Sequence, residues 1–488
     1  MDEKKLRVKK IFLSHWLILL LVLVFFLRLP SLFEPFTYGD EGIYLTLGQA
    51  VRKGLVLYRD IHDNKPPMLY LVAALAGNFS IYRLILFFWS FATIFIFYKF
   101  CQLLFNKNKQ AIIISTVAFA VLTSLHNFEG NIANAENFMM LPTIAAFYLV
   151  LKKRQSKKTW FLAGCLLSLA ALFKIPAGFD FLALLILAVL INKKFNLGVI
   201  VRRWLGMTVG FLLPILFSLG YYATQGAFNQ YLRAAFLQNI PYLASWASDK
   251  PQTMGLPLAL ITRTSLLLTV VILLFIRRKK IATEIKLIVL WFFFSLFAAL
   301  LSGRPYPHYL LQVLPALSLS FGLLSGKKKQ KMIPLTLLVF FISAFLFFRF
   351  WYYPNLPYYQ NFYQFALGAK SKEEYFDSFD REAQTLYRTA SFIKARTGEE
   401  EKIFIWGTRP SIYALSRRLP VGRYTVSYHI IDFNGYEATI KALVKIPPRY
   451  LIVSGDEKRP FPELNAFIQN NYVFDIQIDS LQIFHRIL

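Results

Sequence analysis

The sequence predicts an α-helical polytopic membrane protein of about eleven spanning helices, followed by a C-terminal extracytoplasmic α/β domain. Three observations predict it. Of the 488 residues, 56% are hydrophobic and only 17% charged, with a mean hydropathy of +0.46, whereas soluble domains average about 45–50% apolar and about a quarter charged. The apolar residues gather in runs long enough to cross a hydrocarbon core of about 30 Å. Basic residues alternate with those runs, and the chain changes character after residue 351. The expected division is a spanning part over 1–351 and an outer domain over 352–488.

Five cations (Lys4, Lys5, Arg7, Lys9 and Lys10) precede the first apolar run, 11–29. A cleaved signal peptide would have a shorter apolar stretch ending in small residues. Here Arg28-Leu29-Pro30-Ser31 follows, so this run is expected to remain as the first span. Further runs lie at roughly 84–105, 110–126, 137–151, 159–173, 178–192, 204–222, 257–276, 287–302, 308–325 and 332–351. With the N-terminus in the cytoplasm, the inside segments 1–10, 106–109, 152–158, 193–203, 277–286 and 327–331 carry 25 Lys and Arg. The outer loops before the last helix carry nine: Arg52, Lys53, Arg59, Lys65, Arg83, Lys174, Arg233, Lys250 and Arg304. Short loops biased this way orient a multi-pass protein. The expected location is the plasma or inner membrane, with the C-terminal domain outside. The net charge of +28 is therefore an orientation signal, and the pattern argues against a nucleic-acid partner. Cys101 and Cys165 each fall inside an apolar run, with neither metal-ligand spacing nor a disulfide framework.

The first outer loop, 30–83, is long and structured. Tyr38-Gly39-Asp40-Glu41-Gly42 opens it, and Ile43, Leu47, Ala50 and Val51 then share one face, as in a helix lying at the membrane interface and ended by Gly54. Asp40 and Glu41 at a helix start also suit a cap or a helix-dipole contact. Acidic residues at this depth nevertheless tend to have partners or tasks. Glu136 stands at the outer mouth of the fourth span, and Lys174 follows the fifth, where it can equally snorkel. Arg304 and His308 border the tenth, a pairing able to hold a phosphate. The orientation places Asp40, Glu41, Lys65, Glu136, Lys174, Arg304 and His308 on one side. Such a surface suits a substrate with a phosphate headgroup and a lipid tail. A divalent metal (Mg, Mn or Zn) bridging carboxylate and phosphate fits it too. Asp40, Glu136 and His308 are the candidate ligands.

Beyond the last span, 382–396 reads as a helix, 402–406 and 450–454 as strands, 461–471 as a helix, and 473–478 with 481–484 as strands. The chain contains no DxD pair, P-loop or GxGxxG, so no nucleotide cofactor is expected.

Asp40-Glu41, Lys65-Pro66-Pro67, Asn134-Ala135-Glu136-Asn137 and His308-Tyr309 together resemble the GT-C superfamily of glycosyltransferases. The nearest branch is that of the protein O-mannosyltransferases and lipid A aminoarabinose transferases. The resemblance runs through residues 1–351 in motif order. It implies transfer of a sugar from a polyprenyl-phosphate donor to a hydroxyl of a protein, lipid or glycan acceptor of the cell envelope, on the outer face, by one inverting displacement. Asp40 takes the place of the family's first-loop acid, as catalytic base or metal ligand. Glu136 takes that of the second acid, and Lys65 that of the lysine near the donor phosphate. The chain departs from the family at Glu136, where relatives often carry Asp, and His62-Asp63-Asn64 has no counterpart. Carboxylates of the first two outer loops are expected to share one pocket. The rival readings are a transporter or flippase of lipid-linked saccharides, which would show midplane charges and internal repeats, and a polymerase or ligase of such saccharides.

Overall fold

The computed structural model describes residues 3–153, 155–192, 195–240, 255–380 and 382–487. Arg154, Lys193, Lys194 and Lys250, counted in the orientation argument, lie outside the described residues. Ten of the eleven apolar runs lie mainly in α-helix. Among the described residues, His15–Leu32, Phe79–Phe105, Leu197–Thr224 and Gln330–Phe347 are long and apolar enough to cross a membrane unaided, and several shorter apolar helices accompany them. The run 308–325 is not one helix. It is a 3₁₀ turn Pro307–Gln312, a helix Leu314–Gly322 and a second 3₁₀ turn Leu323–Ser325. Pro315 explains the break: it has no N–H to give the preceding turn, and it is tolerated only where a helix begins.

The chain divides into two compact units. One comprises Met1–Leu32, Leu86–Ile215 and Tyr242–Leu356; the other comprises Phe33–Ile85, Leu216–Pro241 and Pro357–Leu488. What sequence order hides is that the first outer loop belongs to the same unit as the C-terminal residues.

In the spanning unit, aromatic side chains form the centre of the core. Phe97 stacks on Phe119 with centroids 4.0 Å apart, and Phe147 on Trp291 at 4.1 Å. The helices Lys157–Phe173 and Leu197–Thr224 cross where glycines leave no side chain. A Cβ on Gly164 would meet the Met207 carbonyl oxygen at 2.1 Å, and one on Gly210 that of Phe161 at 2.0 Å. Small residues permit this backbone approach in a bilayer, where burial supplies little force between helices.

In the other unit, the loop-one helix is longer than its apolar face suggests, running over Gly39–Arg52. It closes as a Schellman cap: Gly54 adopts φ +82° and donates to Val51 O, while Leu55 N–H donates to Ala50 O. Residues 41–50 are all buried. Gly48 abuts the backbone of Ala73 on helix Met68–Ala76, and Gly42 that of Ser411 on helix Pro410–Ser416. An interfacial helix with one wet face was expected; instead residues 41–50 are covered on every side, and exposure is left to the two ends of the helix. The C-terminal sheet has the order β1 (Phe404–Trp406), β2 (Tyr450–Ser454), β4 (Leu481–Arg486), β3 (Tyr472–Ile478). β1 and β2 are parallel and the other pairs antiparallel. Strand alternation sends Ile405, Ile452 and Ile483 to one core and Phe404, Trp406 and Leu451 to the other.

Candidate functional site

The chemistry-bearing residues form two clusters, one in each unit. In the spanning unit, the chain between helices Lys109–Leu122 and Ala135–Lys152 is pinned from a distance. Arg28, at the end of the first helix, is buried and donates through Nε to Ser124 Oγ (3.1 Å) and through its terminal nitrogens to Gly130 O (2.9 Å) and Thr123 O (2.6 Å). The turn so fixed holds Glu129 in the left-handed region at φ +55°. Asn134 Nδ2 donates to its carboxylate (2.8 Å), and Asn137 Nδ2 to its carbonyl (3.0 Å). His308 lies with Nδ1 2.7 Å from Glu129 Oε2 and Nε2 3.8 Å from Glu136 Oε1. Lys174 Nζ pairs with Glu136 and stands 3.7 Å from the centroid of Tyr309. Two carboxylates, an imidazole and an ammonium thus occupy one buried cluster. Arg304 sits half-buried four residues ahead of His308.

In the other unit, Asp40 and Glu41 have opposite surroundings. Consecutive helical residues point about 100° apart. Glu41 is fully buried; Arg83 Nη2 stands 2.6 Å from its Oε2, and Arg83 Nη1 donates to the Glu34 carbonyl (3.0 Å). Tyr358 OH donates to the Glu34 side chain. This acid holds the loop to the second spanning helix, Phe79–Phe105. Asp40 is 40% exposed, accepts from Tyr44 OH at 2.7 Å and has Lys65 Nζ at 3.7 Å. That ammonium also lies 4.9 Å above the Tyr44 ring. Burial, with Asp40 next, pushes the Tyr44 phenol well up, so it remains a donor.

Lys65 is placed by its own backbone. Its N–H donates to Tyr70 OH (3.2 Å), its carbonyl accepts from Tyr58 OH (2.9 Å), and Tyr70 OH donates to Asp63 (2.7 Å). His429 Nε2, from the C-terminal part of the chain, stands 3.6 Å from Asp63, and the His62 N–H donates to Arg423 O (2.8 Å). The unmatched His62-Asp63-Asn64 is thus where the C-terminal residues grip the lysine loop. Burial pushes the His62 imidazole well down, with Arg423 assisting; it pushes His429 down too, against the pull of Asp63.

Asp40 and Lys65 are therefore brought together in one unit, and Glu136, Lys174 and His308 in the other. Sequence reasoning missed Glu129, Arg28 and the pairing of Arg83. Arg28 and Arg83 carried a signal, since a cation beside an apolar run tends to face a partner. Glu129 carried none, because its role comes from a left-handed turn. The metal set expected from Asp40, Glu136 and His308 meets a difficulty in the donors themselves. Lys174 holds Glu136, and Glu129 engages His308. Among the described residues, no group of three or more His, Cys, Asp or Glu side chains is arranged to hold a metal ion.

No family model matches the sequence, and no curated protein does. Solved structures do. ArnT from Cupriavidus metallidurans bound to undecaprenyl phosphate matches over 97% of this chain and 98% of its own, with a TM-score of 0.59 at 12% identity. Its apo state matches over the same shares with a TM-score of 0.56 at 12% identity. The archaeal oligosaccharyltransferase AglB from Archaeoglobus fulgidus, in complex with an inhibitory peptide and a dolichol-phosphate, covers 91% of this chain and 70% of its own, with a TM-score of 0.46 at 11% identity. The chain shares the ArnT fold, a largely helical architecture with a small C-terminal sheet.

Proposed function

We propose that the protein is a membrane glycosyltransferase that takes a sugar from a polyprenyl-phosphate donor and passes it to an acceptor hydroxyl on the extracytoplasmic face, with inversion. The observation that carries this reading is the half-exposed Asp40 carboxylate with the Lys65 ammonium 3.7 Å away. A base and a phosphate-neutralising cation are the two groups such a displacement requires. The shared fold with ArnT, bound in one of its structures to undecaprenyl phosphate, supports the donor class.

In the step we propose, the acceptor hydroxyl gives its proton to Asp40 as its oxygen attacks the anomeric carbon. The bond from that carbon to the phosphate oxygen breaks, and the electron pair leaves on the polyprenyl phosphate. That dianion needs no proton to depart, but it needs charge stabilisation. Lys65 supplies it, exchanging Asp40 for the phosphate and so freeing the carboxylate to act as base. The Tyr44 hydroxyl keeps Asp40 oriented throughout. Lys174, Arg304 and His308 remain the further phosphate-binding candidates, and Glu136 the second acid. Glu41 serves the reaction through the position of the loop. A divalent metal held by Asp40 would add to the neutralisation of the phosphate charge.

The test is incubation of the purified protein with a panel of polyprenyl-phosphate sugars and candidate acceptors, with and without chelator, followed by mass spectrometry. Consumption of one donor with release of polyprenyl phosphate is the expected result, and Asp40→Asn should lower it by about 10²–10⁴-fold. A panel left intact by wild-type protein, or transfer retained by Asp40→Asn, would overturn the reading.

A further inference from the structure

We infer that Asp180 is a positioning residue, which through Gln312 sets the orientation of His308 and the seat of Lys174 in the spanning unit. Asp180 lies in helix Gly178–Leu190 and is fully buried. Trp291 Nε1 donates to one of its oxygens and Gln312 Nε2 to the other, each at 2.8 Å. Both donors are neutral. A carboxyl group in the apolar interior of a helix bundle is an expensive choice where leucine would pack, so the groups it restrains indicate its role.

One anchor is rigid. Trp291 is completely buried and stacks on Phe147. The other end is the 3₁₀ turn Pro307–Gln312, whose period of three residues puts Tyr309 and Gln312 on one side of the turn. Both touch the same neighbouring stretch. Tyr309 receives Lys174 Nζ on its ring at 3.7 Å, and Gln312 Nε2 donates to Pro176 O at 3.1 Å. The turn is thus clipped at two points to residues 174–176, and the second clip is held by Asp180. With the rotation of the turn fixed, His308 projects about a third of a turn from Tyr309 and meets Glu129 and Glu136. Loss of the Asp180 bond lets the turn rotate, and small misplacements of binding groups are costly in rate.

The kinetic part of this inference rests on the glycosyl-transfer reading; the geometric part does not. The variants are Asp180→Asn, which keeps the shape but turns an amide N–H₂ toward one of the two donors, and the double Asp180→Leu/Gln312→Leu, which restores apolar packing without the network. With melting temperatures at or near wild type, both should raise the donor KM about tenfold to a hundredfold and leave the acceptor KM unchanged. Binding of polyprenyl phosphate alone should weaken alongside. The second measurement is the ¹⁵N resonance of the His308 imidazole, which should move in both variants. A double-leucine variant with wild-type donor KM and an unmoved His308 resonance would overturn the inference, as would variants that lower only the melting temperature. If wild-type protein neither binds polyprenyl phosphate nor consumes a donor, the function reading falls, and the His308 resonance still decides the positioning.

Discussion

The two carboxylate clusters use the same kinds of side chain to opposite ends. Around Glu136 every charge is answered: Lys174 pairs with it, His308 stands between it and Glu129, and Asn134 donates to the same Glu129 oxygen that faces His308. Around Asp40 the partners are a phenol and an ammonium 3.7 Å off, and the carboxylate is 40% exposed. A sealed cluster holds elements together and presents set cations. An open carboxylate can meet a substrate. Asp40 and its neighbour Glu41 make the same contrast within one turn of helix, since Glu41 is fully buried against Arg83.

If that contrast is sound, substitutions should separate into activity effects and stability effects. The largest belongs to Asp40. Asp40→Asn should lower transfer by about 10²–10⁴-fold, the usual contribution of a general base, while leaving the melting temperature in detergent unchanged. Glu41→Gln should do the reverse. Removing one partner of a buried pair leaves the other uncompensated, at about 3–5 kcal/mol, whereas a double Glu41→Leu/Arg83→Met should recover much of it. Denaturation midpoints of the three variants read this directly; a stable Glu41→Gln protein with no transfer would dissolve the distinction. Lys174→Met should cost about 3 kcal/mol, at the low end of the same range, because His308 still stands 3.8 Å from Glu136.

How much of this was legible depended on how local the cause was. The eleven apolar runs and the strands read at 450–454 and 473–478 were legible because hydrophobic period and run length are local properties. The helices Pro410–Ser416 and Ser427–Asp432 were not, since each is too brief to show a period, and Tyr436–Lys445 was missed although it is long enough to show one. At the site, Asp40, Lys65 and Glu136 stood out as charges beside apolar runs. The separate duties of Asp40 and Glu41 could not be read, because they are decided by Arg83, 42 residues beyond Glu41. Glu129 was passed over because its turn is held by Arg28, 102 residues from Gly130. Asp180 was not singled out at all, because its partners Trp291 and Gln312 lie 111 and 132 residues further along the chain.

A smaller effect tests how tightly the loop-one helix is enclosed. Glycine inside a helix is about 1 kcal/mol worse than alanine, so Gly48 is retained for the space it leaves. A Cβ there would stand 2.5 Å from the backbone of Ala73 and Ala74. Gly48→Ala should therefore destabilise, by about 1–3 kcal/mol from overpacking, and lower transfer only as far as it loosens Asp40. Gly54→Ala, at φ +82° with nothing within 4 Å of its added Cβ, should act through backbone strain alone. A thermal shift series on the two variants separates contact from conformation.

The smallest effect concerns pH, and it divides stability from activity once more. Burial depresses both His62 and His429 below the ordinary histidine value. Between each depressed value and about 6.5, where an unfolded histidine titrates, the unfolded chain binds more protons than the folded one. Stability from these two residues is therefore complete above about pH 6.5 and falls as the pH drops below it, by at most about 1.4 kcal/mol per pH unit for each. His62 ring packing against Phe433, with centroids 4.7 Å apart, suggests His62→Phe as the variant that keeps the fill and removes the titration. Its melting temperature should decline less than wild type between pH 7 and pH 5. The pH profile of transfer, governed in the proposed step by Asp40, should keep its shape in the same variant. Parallel melting curves for the two proteins would remove His62 as a source of acid sensitivity. A displaced rate profile would mean that the grip of Arg423 and His429 on the lysine loop reaches Asp40 itself.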